Sequence, residues 1–301
     1  MLLLVCSISI AQALYKYRGA DGEWIYTDRQ PQNNIRAEVR QLPTGSTAPT
    51  VEVYDDVLNG EFRILARNDY YAPVEVDLAL GSLRNLDFPP PDQPLRWVVP
   101  PLHESLLMQL AILEDNLPAG AEYRYNWLPG DPASQHTPPD AYRAPFAIAR
   151  GFIISQAFPT GVTHVNPESF YAVDIAMPVG TDIHAARGGT VFEVSSKNFR
   201  GGVDPDRDMD AANLVRILHD DGTYAVYAHL NWNTIRVQPG DKVARGEYIA
   251  DSGNTGFSSG PHLHFAVIRN AGSKLESVPV VFAGANGREV VPKTGDKLVA
   301  Y

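Results

Sequence analysis

Two histidines one residue apart, His262 and His264, stand in the run Pro261-His262-Leu263-His264-Phe265. On a strand, residues i and i+2 project from the same face, so both imidazoles point one way. Upstream, His164 precedes Asp174, and Asp174 lies among apolar neighbours in Tyr171-Ala172-Val173-Asp174-Ile175-Ala176. A carboxylate in such surroundings is costly unless it is paired or metal-bound, although strand alternation can also aim it at water. His229 closes another apolar run, Tyr224-Ala225-Val226-Tyr227-Ala228-His229. Imidazoles and a carboxylate are the donor types of a tetrahedral zinc site. Three protein donors and a water make a hydrolytic centre, whereas four protein donors make a structural one.

No thiolate can contribute. The only cysteine, Cys6, lies in the opening run MLLLVCSISIAQA. That run is apolar and ends in Ala-Gln-Ala, the small-residue pattern of a secretory leader cut after Ala13. It lacks a basic start and is too short to span a bilayer. A mature chain without cysteine can neither form nor misform disulfides in an oxidising space.

The chain has 301 residues, 44% of them hydrophobic, enough for two or three compact domains. With 24 Pro and 24 Gly and few helical periodicities, the composition indicates strands and loops, an all-β protein. The net charge of −10 excludes a nucleic-acid binder, since nothing would neutralise phosphates.

The elements that must carry the histidines come after a small N-terminal module and a second domain. In residues 14–43, Tyr15, Tyr17, Trp24 and Tyr26 alternate around Asp21-Gly22 and read as a hairpin. Residues 50–128 hold short alternating runs: Val51/Val53, Phe62/Ile64, Val74/Val76/Leu78/Leu80, Trp97/Val99, Leu106/Met108/Leu110 and Tyr123/Tyr125/Trp127. Turn signals at Asn59-Gly60, 89–94 and 118–120 separate them, which predicts an immunoglobulin-like antiparallel β-sandwich. Residues 129–143 (PGDPASQHTPP and on) read as a linker carrying an exposed His136, and residues 144–301 as a further strand-rich domain. His103 reads as a solvated loop residue, His184 as a surface residue, and His219, before Asp220-Asp221-Gly222, as structural on a hairpin turn. The stretch 197–210 reads as a solvated flap, or more sharply as a substrate lid. Asn213 is either a cleft residue or a turn cap.

The strings YAVDIAMPVGT, AARGGTV, ILHDDGT, YAHL, VQPGDKVARGE and DSGNTGFSSGPHLHF, in this order, resemble the lysostaphin-type zinc endopeptidases, family 23 of the metallopeptidases. The resemblance covers about residues 145–270 and implies an antiparallel β-sheet peptidase domain holding one zinc ion. It implies Asp174 and His264 as metal ligands. The family's remaining ligand histidine most often stands four residues before the Asp, where this chain has Phe170, so His164 is the expected third ligand at a longer spacing. His229 and His262 are implied as catalytic residues, one handling the water's proton and the other the developing oxyanion, in an order left open.

The family's substrates are peptide cross-links or stems of bacterial peptidoglycan. With a secretory leader, this implies a periplasmic D,D-endopeptidase cutting between D-alanine and meso-diaminopimelate. The alternative is a degenerate, non-enzymatic activator of cell-wall amidases or a murein-binding regulator. No transmembrane span is expected in the mature chain.

Overall fold

The structure, a computed structural model, describes residues 13–18, 24–27, 31, 36–41, 49–88 and 95–301. The expected leader with Cys6, all but its Ala13, lies outside the described residues, as do the turns expected at Asp21-Gly22 and 89–94. Strands dominate, with one four-residue helix, Pro205–Asp208, among the described residues. No helix there is long and apolar enough to cross a membrane. Two compact units result, Met1–Ala48 and Pro49–Tyr301.

In the first unit Ala13–Arg18 pairs antiparallel with Trp24–Thr27 on one side and with Glu38–Gln41 on the other. The third strand was not anticipated, because Glu38-Val39-Arg40-Gln41 offers a single apolar residue to a period-two reading.

The second unit begins with two three-stranded antiparallel sheets. One has Glu61–Asn68 between Val51–Leu58 and His103–Ala111, the other Val74–Arg84 between Leu95–Val99 and Gly120–Pro129. Their inward residues, among them Val53, Phe62, Ile64, Val76, Leu78 and Val99, form one core. The expected alternation Leu106/Met108/Leu110 breaks. Opposite Ile64 and Leu65 the register skips a residue, so Leu107 turns inward and Leu106 is left 48% exposed. A β-bulge of this kind inserts one residue and reverses the facing of those beyond it.

The 129–143 segment packs against the C-terminal part of the chain. Gln135 N–H donates to the Asp221 carbonyl at 3.2 Å, and the buried Tyr142 donates its N–H to Val281 O at 2.8 Å.

The large sheet has nine strands. Its order is Lys242–Val243, Gly189–Ser195, Leu214–Leu218, Tyr224–Ala228, His262–Asn270, Val173–Ala176, Gly151–Gln156 and Lys297–Val299, with Leu275–Ser277 also pairing with His262–Asn270. Each of these pairings is antiparallel. Alternation divides the central strands between two faces. Leu263, Phe265 and Val267 join Val173, Ile175, Tyr227 and Ile217 in a core where each of these seven is 0% exposed. Burying one such side chain contributes about 1.5–3 kcal/mol, so the strand cannot slip by one residue. The other face therefore must carry Asp174, His262 and His264. Farther along that face Ala266 and Ile268 pack with Phe192, Tyr224 and Ala72, the last from the turn after Glu61–Asn68. Asn68 ties that turn down, its side-chain amide donating to the carbonyls of Ala72, Val99 and Pro100.

Candidate metal centre

Asp174 and His264 are directly opposed across two central strands. His264 Nδ1 lies 2.9 Å from Asp174 Oδ1, and His164 Nε2 lies 3.2 Å from Asp174 Oδ2. The His164 and His264 rings meet edge to face, with centroids 5.2 Å apart. One donor atom from each of the three residues lies within 4.8 Å of the others. His164 and Asp174 are buried and His264 is half-buried. Burial alone would raise the Asp174 pKa. The hydrogen bonds with His164 and His264 outweigh it and hold the carboxyl well below the usual carboxylate range. The carboxylate is thus ionised, the form a metal requires.

His164 reaches the site on a turn. Gly161 comes so close that a Cβ there would stand 2.9 Å from His164 Cβ, so the turn needs a residue without one. The residues between His164 and Asp174 close on themselves through Ser169 N–H to Asn166 O, 3.0 Å, and Ala172 N–H to Ser169 O, 2.9 Å. Ser277 anchors the loop, donating its N–H and hydroxyl to Pro167 O and accepting from Tyr171 N–H. Phe170, at the commoner ligand spacing, stacks its ring with Phe158 and Tyr171 and is 43% exposed.

His229 and His262 complete the group, with ring centroids 4.5 Å apart. His229 Nδ1 is 2.7 Å from Thr255 O, and His262 Nδ1 is 2.8 Å from Gly260 O. Each carbonyl can only accept, so each Nδ1 carries a proton, and in the neutral ring Nε2 is the acceptor. His262 Nε2 stands 3.8 Å from Asp174 Oδ1. His229 has φ of 60°, a left-handed conformation uncommon outside glycine, which turns its ring out of the strand direction toward the site. Burial pushes the His229 pKa down to about 3, reinforced by repulsion from His262 and His264. That imidazole is neutral near pH 7.

One residue that serves the site is not conspicuous in the sequence. Gln156, paired in register with Asp174, donates its amide to Asp174 Oδ2 at 2.7 Å and to Thr163 Oγ1 at 2.9 Å. Its Oε1 accepts from Thr163 N–H at 2.8 Å and from Val162 N–H. One amide thus fixes both the carboxylate and the backbone leading into His164. The available signal was a polar residue closing the apolar strand Gly151–Gln156. Asn213, fully buried, donates to Asn198 O and Leu230 O and accepts from Asn198 N–H.

The other histidines stand apart from this group. His184 and His136 are half-buried, not surface residues. His184 Nδ1 bonds Gly246 O at 2.8 Å, and His136 lies against Tyr142, 3.1 Å from its hydroxyl. His219 is buried, its Nδ1 2.9 Å from Gly188 O.

The donor set is two imidazole nitrogens and one carboxylate oxygen, aimed at one another, with His164 Nδ1 buried and lacking a hydrogen-bond partner among the described residues. This composition fits zinc chemistry.

Residues 168–276 match the model of Peptidase family M23. Lysostaphin of Staphylococcus simulans is 33% identical over 153 residues, which is 48% of this chain and 28% of that protein. Peptidoglycan DD-endopeptidase ShyA of Vibrio cholerae serotype O1 is 37% identical over 95 residues, 32% of this chain and 19% of that protein. The solved catalytic domain of lysostaphin from Staphylococcus simulans is 30% identical with a TM-score of 0.30, covering 42% of this chain and 84% of that domain. The likeness to the two proteins thus spans under a third of their length, and the family match takes in Asp174, His229, His262 and His264 but begins after His164. The chain carries a Peptidase family M23 domain.

Proposed function

We propose that the chain is a zinc-dependent endopeptidase that hydrolyses peptide cross-links or stem peptides of bacterial peptidoglycan, in the periplasm, with D,D specificity. The observation that carries this reading is the convergence of His164, Asp174 and His264 beside two histidines whose Nε2 atoms are left bare. The names of the M23 relatives, a DD-endopeptidase among them, support the substrate class.

His164, Asp174 and His264 would hold the ion. Bound there, zinc supplies a water acidified towards a pKa of about 7 and positive charge for the scissile carbonyl. The chain's own groups do the rest. Gln156 keeps Asp174 oriented and His164 in reach. The bare Nε2 of His229 or His262 accepts the proton of the attacking water. The imidazolium so formed keeps its Nδ1–H bonded to a main-chain carbonyl, Thr255 O or Gly260 O, and so gains a donor without reorientation. That Nε2–H then serves the oxyanion and finally protonates the leaving amine as the C–N bond breaks. The two rings are close enough to divide these tasks between them.

The test is incubation of the purified protein with cross-linked muropeptide dimers, with mass analysis of products. Cleavage between D-alanine and diaminopimelate is expected, abolished by chelator and restored by zinc. Chelator-insensitive cleavage, or intact dimers with stoichiometric zinc bound, would overturn the reading in favour of a non-enzymatic role.

A further inference from the structure

The loop that delivers His164 also builds something else. Val165, Phe170 and Tyr171 form one wall of a pocket of about 560 Å³, and Arg269 and Glu276 contribute to another. Neither the four site histidines nor Asp174 line it. The volume falls in the range of about 300–1,000 Å³ usual for small-molecule sites. Its existence depends on the long spacing between His164 and Asp174, because the intervening residues supply that wall.

The pocket's chemistry is mixed in a particular way. Phe170 and Tyr171 meet edge to face with centroids 5.1 Å apart, backed by Phe158, and Phe170 and Val165 are 43% and 72% exposed. Arg269 and Glu276 face each other across paired strands, with Arg269 Nε 2.8 Å from Glu276 Oε1. The pair is half-buried, and Lys274 Nζ adds a second positive charge 3.7 Å from Glu276 Oε2. A purely apolar occupant would strip water from both charges without replacing its hydrogen bonds. A cationic occupant would find the one carboxylate already shared between Arg269 and Lys274. A neutral ring with an apolar face and a polar rim satisfies both walls. Its C–H groups lie on aromatic faces, whose π electrons attract them, while its hydroxyls donate to the carboxylate and accept from the guanidinium.

We infer that this pocket is a saccharide subsite that holds a pyranose unit of the glycan strand from which the cleaved peptide hangs. It rests on the proposed function for the identity of the polymer. Val165 lines the pocket, and the preceding residue, His164, belongs to the metal centre.

The experiment uses the full chain and two variants, Phe170→Ala and Arg269→Gln, each at a partly exposed side chain. A β-1,4-linked N-acetylglucosamine tetramer is titrated by calorimetry, and cleavage is measured on cross-linked dimers with and without their sugars. Both substitutions are expected to weaken tetramer binding by about tenfold or more, the loss of about one stacking or charge-assisted contact. They should slow cleavage of sugar-bearing dimers similarly and leave sugar-free dimers within about twofold. Absence of tetramer binding, binding equal in wild type and variants, or a parallel loss on both dimers would overturn the subsite. If the wild-type protein cuts neither dimer, the proposed function fails, and the tetramer titration still decides the subsite by itself.

Discussion

Asp174 is a single carboxylate with three side-chain partners, His164, His264 and Gln156, and it owes its ionisation to the two histidines. Removing it leaves two imidazoles with no shared anion, so Asp174→Ala is expected to lose both metal and turnover. His229→Ala and His262→Ala should retain stoichiometric zinc and lose turnover by about 10²–10⁴-fold, the usual contribution of a positioned acid or base. Elemental analysis beside a cleavage assay separates the two classes, and equal metal content in all three variants would contradict the assignment. Gln156 acts one step farther out. Gln156→Leu keeps the volume but removes the amide that orients Asp174 and caps Val162 and Thr163. Losses of this kind typically lower metal affinity about 10–100-fold. Competition against a zinc-binding dye would measure it, and an unchanged affinity would mean that His164 and Asp174 hold their places without help.

At the scale of elements, legibility followed periodicity. The H-x-H pattern and the apolar alternation around it put His262 and His264 on one face, whereas alternation left Asp174 free to face water and only the family resemblance pointed to it; the register sets it opposite His264. What periodicity does not encode stayed hidden. A bulge near Leu107 reverses facing without changing composition, and Gln156 differs from a solvated strand end only through tertiary contacts. The 197–210 stretch, read as a solvated flap or a substrate lid, is mostly exposed and also acts as a brace. Gly201–Gly202 pairs in parallel with Gly256–Phe257, and Ser258 N–H donates to Gly202 O at 2.8 Å. Gly256, at φ of 78°, lets this loop pass where a Cβ would meet Ala212 N at 2.5 Å. The braced loop supplies the Thr255 and Gly260 carbonyls that set the tautomers of His229 and His262. Asn213 holds brace and strand end together, so Asn213→Ala takes the side-chain partner from the part-buried N–H and carbonyl of Asn198, while Leu230 O keeps Thr255 Oγ1. A cost of about 1–3 kcal/mol is expected in urea unfolding, with turnover reduced more than metal content and 197–210 newly open to protease. Wild-type protease resistance in this variant would show that the brace stands without it.

For the Pro49–Tyr301 unit as a whole, one sheet face serves two ends. Asp174 and His264 occupy one, while Ala266, Ile268, Phe192 and Tyr224 meet Ala72 from the preceding module at the other. Beyond the opposite end of Leu214–Leu218 from the metal centre lies the acid-sensitive point. His219 is 3% exposed, donates Nδ1–H to Gly188 O, and has its Nε2 buried without a partner among the described residues. Burial pushes its pKa down to about 4, with the Gly188 carbonyl opposing and Arg187 assisting. An unfolded imidazole titrates near 6.5. Below that pH the unfolded chain takes up a proton that the native chain refuses until about pH 4, so stability is complete above about 6.5 and declines as pH falls toward 4. Asp221, held near 2 by Thr223 and Arg187 against the effect of burial, gives up its own contribution only at lower pH, below the ordinary carboxylate range. At pH 5 His219 alone should cost about 2 kcal/mol relative to pH 7.5. His219→Asn, whose amide can replace Nδ1–H toward Gly188, should be less stable at pH 7.5 through lost packing, yet lose about 2 kcal/mol less on going to pH 5. Urea unfolding of both proteins at the two pH values, with chelator present so that metal release adds no slope, isolates that difference. Parallel pH dependences in the two proteins would move the acid-labile proton to another histidine, with His229, also held neutral by burial, the first to substitute next.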